Sequence, residues 1–348
     1  MTDPIYATRA AELRIRHDAL AATGPAARAR NLANTLGVSE AEWVAARCGG
    51  LHAVPLAGTP QAIFRELGTL GEVMALTRND WCVHERHGRY EDIQADGPVG
   101  LVLGPDIDLR VFFSLWRHAW AVEHDGRHSL QFFDVAGQAV HKVYRTDGTD
   151  ATAWAALVAR LSGEPYWPEP EAYPAPEAHV PIADPAAFRE AWLAMQDTHE
   201  FFPLLRKYKA ARLDALRVAG ADLAQTVDAG AVEHMLQGAA DTALPIMCFV
   251  GNRGMIQIHS GPVANLRRTG PWFNVLDPHF NLHLDTTAID SAWVVAKPTR
   301  DGWVTSLEVY AANGDLIVQF FGARKPGQPE LPAWRDLLAG LCGQPLAA

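Results

Sequence analysis

Val73-Met74-Ala75-Leu76-Thr77-Arg78-Asn79 is followed 173 residues later by Ile246-Met247-Cys248-Phe249-Val250-Gly251-Asn252, and this pairing decides the fold. The offset persists along the chain. Asp106-Ile107-Asp108-Leu109-Arg110 falls on His279-Phe280-Asn281-Leu282-His283, and Ala119-Trp120-Ala121-Val122 on Ala292-Trp293-Val294-Val295. After a four-residue insertion the offset is 177, so that Ser129-Leu130-Gln131-Phe132-Phe133-Asp134 matches Ser306-Leu307-Glu308-Val309-Tyr310-Ala311 and Gly137 matches Gly314. Ordered matches at nearly constant spacing mark an internal duplication.

Both copies follow one order. Helical patterns come first, over residues 10–36 and 40–47 in the first copy and 186–202 and 204–218 in the second. Short β-branched and aromatic runs follow, separated by Gly97-Pro98, Gly104-Pro105, Asp125-Gly126, Asp301-Gly302 and Asn313-Gly314. The runs flanking Gly137 and Asn313-Gly314 read as hairpins. Helices set apart from hairpin-linked strands imply an α+β fold with antiparallel sheets. Between the copies, Pro165, Pro168, Pro170, Pro174, Pro176, Pro181 and Pro185 read as a semi-rigid linker over 162–185. The expected domains are 1–161 and 186–348.

The 348 residues are 49% apolar and 20% charged with a mean hydropathy of -0.06, the composition of a folded protein. No apolar window is long enough to span a membrane, and Met1-Thr2-Asp3-Pro4 does not begin a secretory signal, so the cytoplasm is the expected compartment. Cys48, Cys82, Cys248 and Cys342 lie far apart, which argues against a disulfide scaffold or a zinc ribbon. A formal charge of -10 without a basic stripe excludes a nucleic-acid binder. An anionic ligand must then be held by a few local cations.

Phe188, Trp192, Met195, His199 and Phe202 fall at helical spacing, and Pro203 is expected to end that helix. His199 is the titratable group on this aromatic stripe. Neutral imidazole donates a nitrogen lone pair, so His199 is suited to be an axial ligand of iron; the same placement also suits a core histidine bonded to a backbone carbonyl. Just beyond it, Leu205-Arg206-Lys207-Tyr208-Lys209-Ala210-Ala211-Arg212 is the densest basic stretch, either a carboxylate-binding edge or a solvated helix face.

Other groups point nowhere specific. His84 and His87 would face opposite sides of a strand. His279 and His283 share parity but follow Pro278 and lack a third ligand for zinc. Phosphate-loop, Gly-x-Ser-x-Gly and His-Glu-x-x-His patterns are absent, and Val250-Gly251-Asn252-Arg253-Gly254 reads as a turn. His17 precedes Arg30 by 13 residues, as His199 precedes Arg212, but without the aromatic stripe.

In combination and in order, Leu70-Gly71-Glu72-Val73-Met74-Ala75-Leu76-Thr77-Arg78-Asn79, Asp108-Leu109-Arg110-Val111-Phe112, Asp197-Thr198-His199-Glu200-Phe201-Phe202, Lys297-Pro298-Thr299-Arg300-Asp301-Gly302 and Gln319-Phe320-Phe321-Gly322-Ala323-Arg324 carry a resemblance. Over nearly its whole length the chain resembles the cytoplasmic haemin-binding proteins of bacterial haem-uptake systems, the haemin-degrading factor or haem-trafficking family. The resemblance implies two stacked antiparallel sheets flanked by helices, with haem b bound on the C-terminal copy. It makes His199 the proximal iron ligand, Arg110 the distal residue, Phe112 and Phe249 ring-stacking residues, and Arg212, Lys297 and Arg324 partners of the propionates. Phe321 stands where family members often have tyrosine.

The function implied is haem binding and trafficking after import, for iron acquisition. The importer at the inner membrane and a downstream haem oxygenase are the implied partners. Two further readings are open: oxidative haem degradation that releases iron, with Arg110 as the distal catalytic residue, and a haem-free protein that binds another planar anion.

Overall fold

The computed structural model describes residues 4–22, 29–325 and 327–347. The chain divides into two compact units. The first comprises Met1–Arg78, Glu85–Pro174 and Gly251–Gln257, and the second Asn79–His84, Ala175–Val250 and Ile258–Ala348. Part of the helix expected over 10–36, and the first three residues of the chain, lie outside the described residues.

The first unit opens with helices α1 (Pro4–Ala21), α2 (Ala29–Leu36) and α3 (Glu40–Ala45). Ser39 caps α3 in a reciprocal box with Glu42. Then come β1 (His52–Pro55), α4 (Pro60–Arg65), β2 (Gly71–Arg78) and β3 (Cys82–Gly88). The strands β4 (Ile93–Gln94), β5 (Val99–Leu103), β6 (Asp108–Phe112), β7 (Trp116–His124), β8 (Arg127–Asp134) and β9 (Ala139–Thr149) follow, and α5 (Ala151–Leu161) closes the series.

The second repeat has helices α6 (Pro185–Leu193), α7 (Phe201–Tyr208) and α8 (Arg212–Val218), then β10 (Ala224–Val227) and α9 (Ala231–Asp241). Its remaining strands are β11 (Ile246–Gly251), β12 (Met255–Gly261), β13 (Leu266–Thr269), β14 (Trp272–Leu276), β15 (Phe280–Asp285), β16 (Ser291–Thr299), β17 (Gly302–Tyr310) and β18 (Leu316–Gly322). Helix α10 (Pro332–Ala339) ends it.

Among the described residues the strands form two nine-stranded sheets, the antiparallel α+β architecture expected. The duplication is explicit in the strand order. In the first unit β1, β7, β8, β9 and β2 are neighbours in that order; in the second, β10, β16, β17, β18 and β11 repeat it. Each unit also carries a three-stranded meander, β4-β5-β6 and β13-β14-β15. The hairpins expected at Gly137 and Gly314 form, and they share one turn. Gly137 and Gly314 take φ of +72° and +83°, and each donates its N–H to the carbonyl three residues back, Asp134 and Ala311. That left-handed conformation is where glycine is needed.

The proline-rich stretch divides at Pro174 between the two units, and it is tied down along its length. Gly163 and Glu171 donate to the carbonyls of Pro55 and Val135, Tyr173 bonds Asp134, and Val180 bonds the carbonyl of Lys209. Tyr166 stacks on Trp120, with ring centroids 5.3 Å apart.

The second repeat departs from expectation in its helices. The pattern over 186–202 is not one helix: α6 ends at Leu193, and a single helical turn over Thr198–Glu200 precedes α7. Pro203 explains the break. In a continuous helix its ring would clash with the carbonyl of residue 199, whereas in the first turn of α7 no N–H is needed. The pattern over 204–218 breaks likewise at Lys209, whose φ is +49°. Among the described residues no helix is long and apolar enough to cross a membrane.

Candidate functional site

Register places Phe249 and Lys297, with Phe321, on one face of the second unit's sheet. Trp293, Val295 and Lys297 of β16 stand opposite Glu308, Ser306 and Val304 of β17. Ser306 and Glu308 stand opposite Phe321 and Gln319 of β18, which in turn face Met247 and Phe249 of β11. Cross-strand partners share a face. The opposite face, with Val294, Leu307, Phe320 and Cys248, packs with Met235 of α9 and Trp334 of α10 in the apolar core.

Helices α6 to α8 cover one end of the first face, where Phe188, Trp192, Phe201 and Leu216 cluster with Trp293, Val295 and Tyr310. Met247, Phe249, Gln319 and Phe321 remain half-buried beyond them. Phe249 and Phe321 meet edge to face, centroids 5.0 Å apart. The ring in place of tyrosine thus extends an apolar floor.

His199 sits in the turn before α7, and its side chain is 92% exposed. It is not the buried member of an aromatic stripe: Phe188, Trp192, Met195 and Phe201 are buried, while His199 and Phe202 project outward. The core-histidine alternative therefore falls. The groove of about 660 Å³ between α6 and α7 takes in Met195, Glu200 and Tyr208 but not His199.

The turn is held from both ends. Oδ1 of Asp197 accepts the backbone N–H of His199 at 2.8 Å and lies 2.6 Å from its Nδ1. Gln196 donates its N–H to Glu200 at 3.0 Å, and Arg300 donates to the carbonyl of Gln196 at 3.0 Å. The backbone N–H of His199 holds the Asp197 carboxyl below the usual range against partial burial, helped by the His199 ring and by the charge of Arg324. With Nδ1 engaged, Nε2 is the nitrogen left for an external partner.

The three expected propionate partners divide. Arg324 is part-exposed and bonds the carbonyl of Gln328. Arg212 and Lys297 instead converge on the buried carboxylate of Glu308. Arg212 Nε and Nη2 reach Oε2 and Oε1 at 2.8 and 2.7 Å, and Lys297 Nζ reaches Oε1 at 2.9 Å. Ser306 and Tyr310 add hydroxyl donors at 3.1 and 2.5 Å.

Burial alone would raise the Glu308 carboxyl, but Arg212 and Lys297 outweigh it and hold the group well below the carboxylate range. Burial lowers the Lys297 ammonium to about 8 despite Glu308, with Arg212 adding to the shift. Both cations also flank Phe201, at 5.0 Å for Arg212 and 4.7 Å for Lys297 from the ring centroid. Phe201 follows His199 by two residues, so the cations brace the turn that carries the imidazole.

Arg110 and Phe112 lie on β6 of the first unit. Leu101 and Val99 of β5 stand opposite them, and Leu103 stands opposite Asp108. Arg110 pairs with Asp108 on that same face. Val99 and Leu103 are 53% and 44% exposed, while Leu101, Asp108, Arg110 and Phe112 on the same face are half-buried.

Several residues of these constellations were not singled out in the sequence: Asp197, Phe201, Glu308, Tyr310 and the β5 aliphatics. Asp197 had a signal, an N-cap residue two positions before a candidate ligand. Glu308 had another, a carboxylate inside the apolar run Leu307-Glu308-Val309-Tyr310, which needs cationic partners when buried.

The family model of the haemin-degrading HemS.ChuX domain matches residues 37–161 and again 209–341. The hemin transport protein HmuS of Yersinia pestis is 42% identical over 93% of this chain and 95% of its own. Holo-PhuS, a heme-binding protein from Pseudomonas aeruginosa, superposes with a TM-score of 0.91 at 48% identity, over 95% of this chain and 99% of its own. The heme degrading enzyme ChuS of Escherichia coli O157:H7 gives a TM-score of 0.86 at 36% identity, over 96% and 99% of the two chains. The chain belongs to the haemin-degrading HemS.ChuX family and carries its domain twice in tandem.

Proposed function

We propose that this chain binds haem b as cargo through His199 and passes it on after import into the cytoplasm, in the service of iron acquisition. One observation carries the reading: an outward imidazole with Nδ1 tied to Asp197 and Nε2 available, on a turn braced by Arg212 and Lys297. The half-buried Phe249 and Phe321 supply a surface for the macrocycle. Arg212, Lys297 and Arg324 outweigh the ionised Glu308 and Asp197 by one positive charge, which leaves this edge electropositive toward the propionates. A ligand held by one axial bond and rim contacts suits a carrier that takes haem from an importer at the inner membrane and yields it to a haem oxygenase.

Titrating the apo-protein with haemin is expected to give a sharpened Soret band and saturation near one haem per chain. Replacing His199 with Ala should shift the ferric spectrum and weaken retention. Featureless, unsaturable absorbance would instead favour a different planar anion as ligand.

Oxidative degradation is the second reading, favoured by the likeness to ChuS, which is described as a heme degrading enzyme. In this reading Arg110 is the distal residue, a hydrogen-bond donor at the sixth coordination position of haem, and Phe112 stacks on the ring. Reductant and oxygen with catalase present should then yield a biliverdin-like spectrum that Arg110→Ala abolishes. Bleaching that catalase suppresses would point to free peroxide and leave the carrier role alone.

A further inference from the structure

Building on the reading of His199 as the iron ligand, we infer that Asp197 is a positioning residue that selects the ligating nitrogen of His199 and sets how strongly it donates to iron. One oxygen, Oδ1, accepts the His199 backbone N–H at 2.8 Å and faces its Nδ1 at 2.6 Å. The first bond fixes the turn. The second fixes the ring, because an anionic acceptor at Nδ1 requires the proton there and leaves the lone pair on Nε2.

An imidazole that donates to a carboxylate is a more basic ligand than one that donates to water or a neutral carbonyl. Greater donation stabilises ferric over ferrous iron. Asp197 and His199 are both exposed in the free protein, where solvent screens their interaction. A macrocycle seated on Nε2 would exclude that solvent and strengthen the bond when the iron needs it. Asp197 therefore biases bound haem toward the ferric state, which a carrier needs if it is not to expose ferrous haem to oxygen.

Asp197→Asn separates charge from structure. Asparagine is as good an N-cap as aspartate and retains a neutral acceptor, and the Gln196–Glu200 bond holds the turn independently. The full-length protein loaded with haemin is the sample, and the readouts are the reduction potential and the iron–imidazole stretching frequency of the ferrous form. Asp197→Asn is expected to shift the ferric/ferrous equilibrium at least tenfold toward ferrous, about 59 mV for one electron, and to lower the stretching frequency. Asp197→Glu should recover part of both. A potential and frequency equal to those of the wild type, in a variant still ligated by His199, would overturn the inference. A His199→Ala protein with an unchanged spectrum would overturn the reading beneath it as well.

Discussion

Arg212 grips Glu308 with two nitrogens, Nε at 2.8 Å from Oε2 and Nη2 at 2.7 Å from Oε1. Lys297 shares the same buried carboxylate. Glu308→Gln would leave two cations facing a neutral amide. Breaking a buried ion pair from one side costs about 3–5 kcal/mol. Lys297 already sits near 8, so it can shed its proton in the variant, and this relief places the loss at the low end. Urea unfolding should show about 3 kcal/mol less stability. A change under 1 kcal/mol would mean that the network is not the brace of the His199 turn.

The same pair fixes the sign of an acid dependence. The Glu308 carboxyl is held well below its ordinary 4.5 in the folded chain. Its contribution is therefore complete above the unfolded value and is lost as pH falls toward the folded one. In a Lys297→Met background, where no lysine titrates at the site, the stability gap opened by Glu308→Gln should be flat above about pH 5 and then narrow by about 1.4 kcal/mol per pH unit. A gap that stays constant down to pH 3 would show that Glu308 is not held ionised.

His17 tests whether duplication of the fold means duplication of the site. It repeats the 13-residue spacing of His199 and Arg212, yet its side chain is only 7% exposed and its ring meets Trp43 edge on at 6.2 Å. Its counterpart cation Arg30 and Lys142 both lie against the buried carboxylate of Glu40, at 3.8 and 3.3 Å. An imidazole closed off in this way does not meet a macrocycle. His17→Ala should leave haemin stoichiometry at one per chain and the Soret position unchanged. Two haems per chain in the wild type, reduced to one in the variant, would contradict this.

What the sequence disclosed follows the range of the forces involved. Hairpins at Gly137 and Gly314 were legible because a left-handed residue is a local requirement. The duplication was legible because it needs no structure at all. The helix break before α7 was not. Phe188, Trp192 and Met195 keep helical spacing whether one helix or two short ones carry them, and only the clash that Pro203 would make with residue 199 decides between them. Glu308 was hidden for a different reason. Strand β17 is buried on both faces along most of its length, so the alternation that would mark an inward carboxylate is erased.

Asn79 and Asn252 show how deep the duplication runs. Each donates its own N–H to the carbonyl three residues on, Cys82 and Met255. Each then donates its side-chain amide to a strand carbonyl, Ile317 for Asn79 and Val140 for Asn252, both at 2.8 Å. Ile317 and Val140 are themselves related by the 177-residue offset. Asn252 also donates to the carbonyl of Arg78 at 3.0 Å, and its Oδ1 accepts the N–H of Gly254 at 3.0 Å. Asn252→Ala would remove three hydrogen bonds to backbone groups at once, each worth about 1 kcal/mol net and more where water cannot replace the partner. A loss of about 2–3 kcal/mol in denaturant unfolding is expected. Asn252→Asp keeps the acceptor for Gly254 but sets a carboxylate against two carbonyl oxygens, so it should be worse than Ala at pH 7 and recover as acid protonates it. If both variants stay within 0.5 kcal/mol of wild type, the asparagines are remnants of the duplication and not the ties that hold each turn to its sheet.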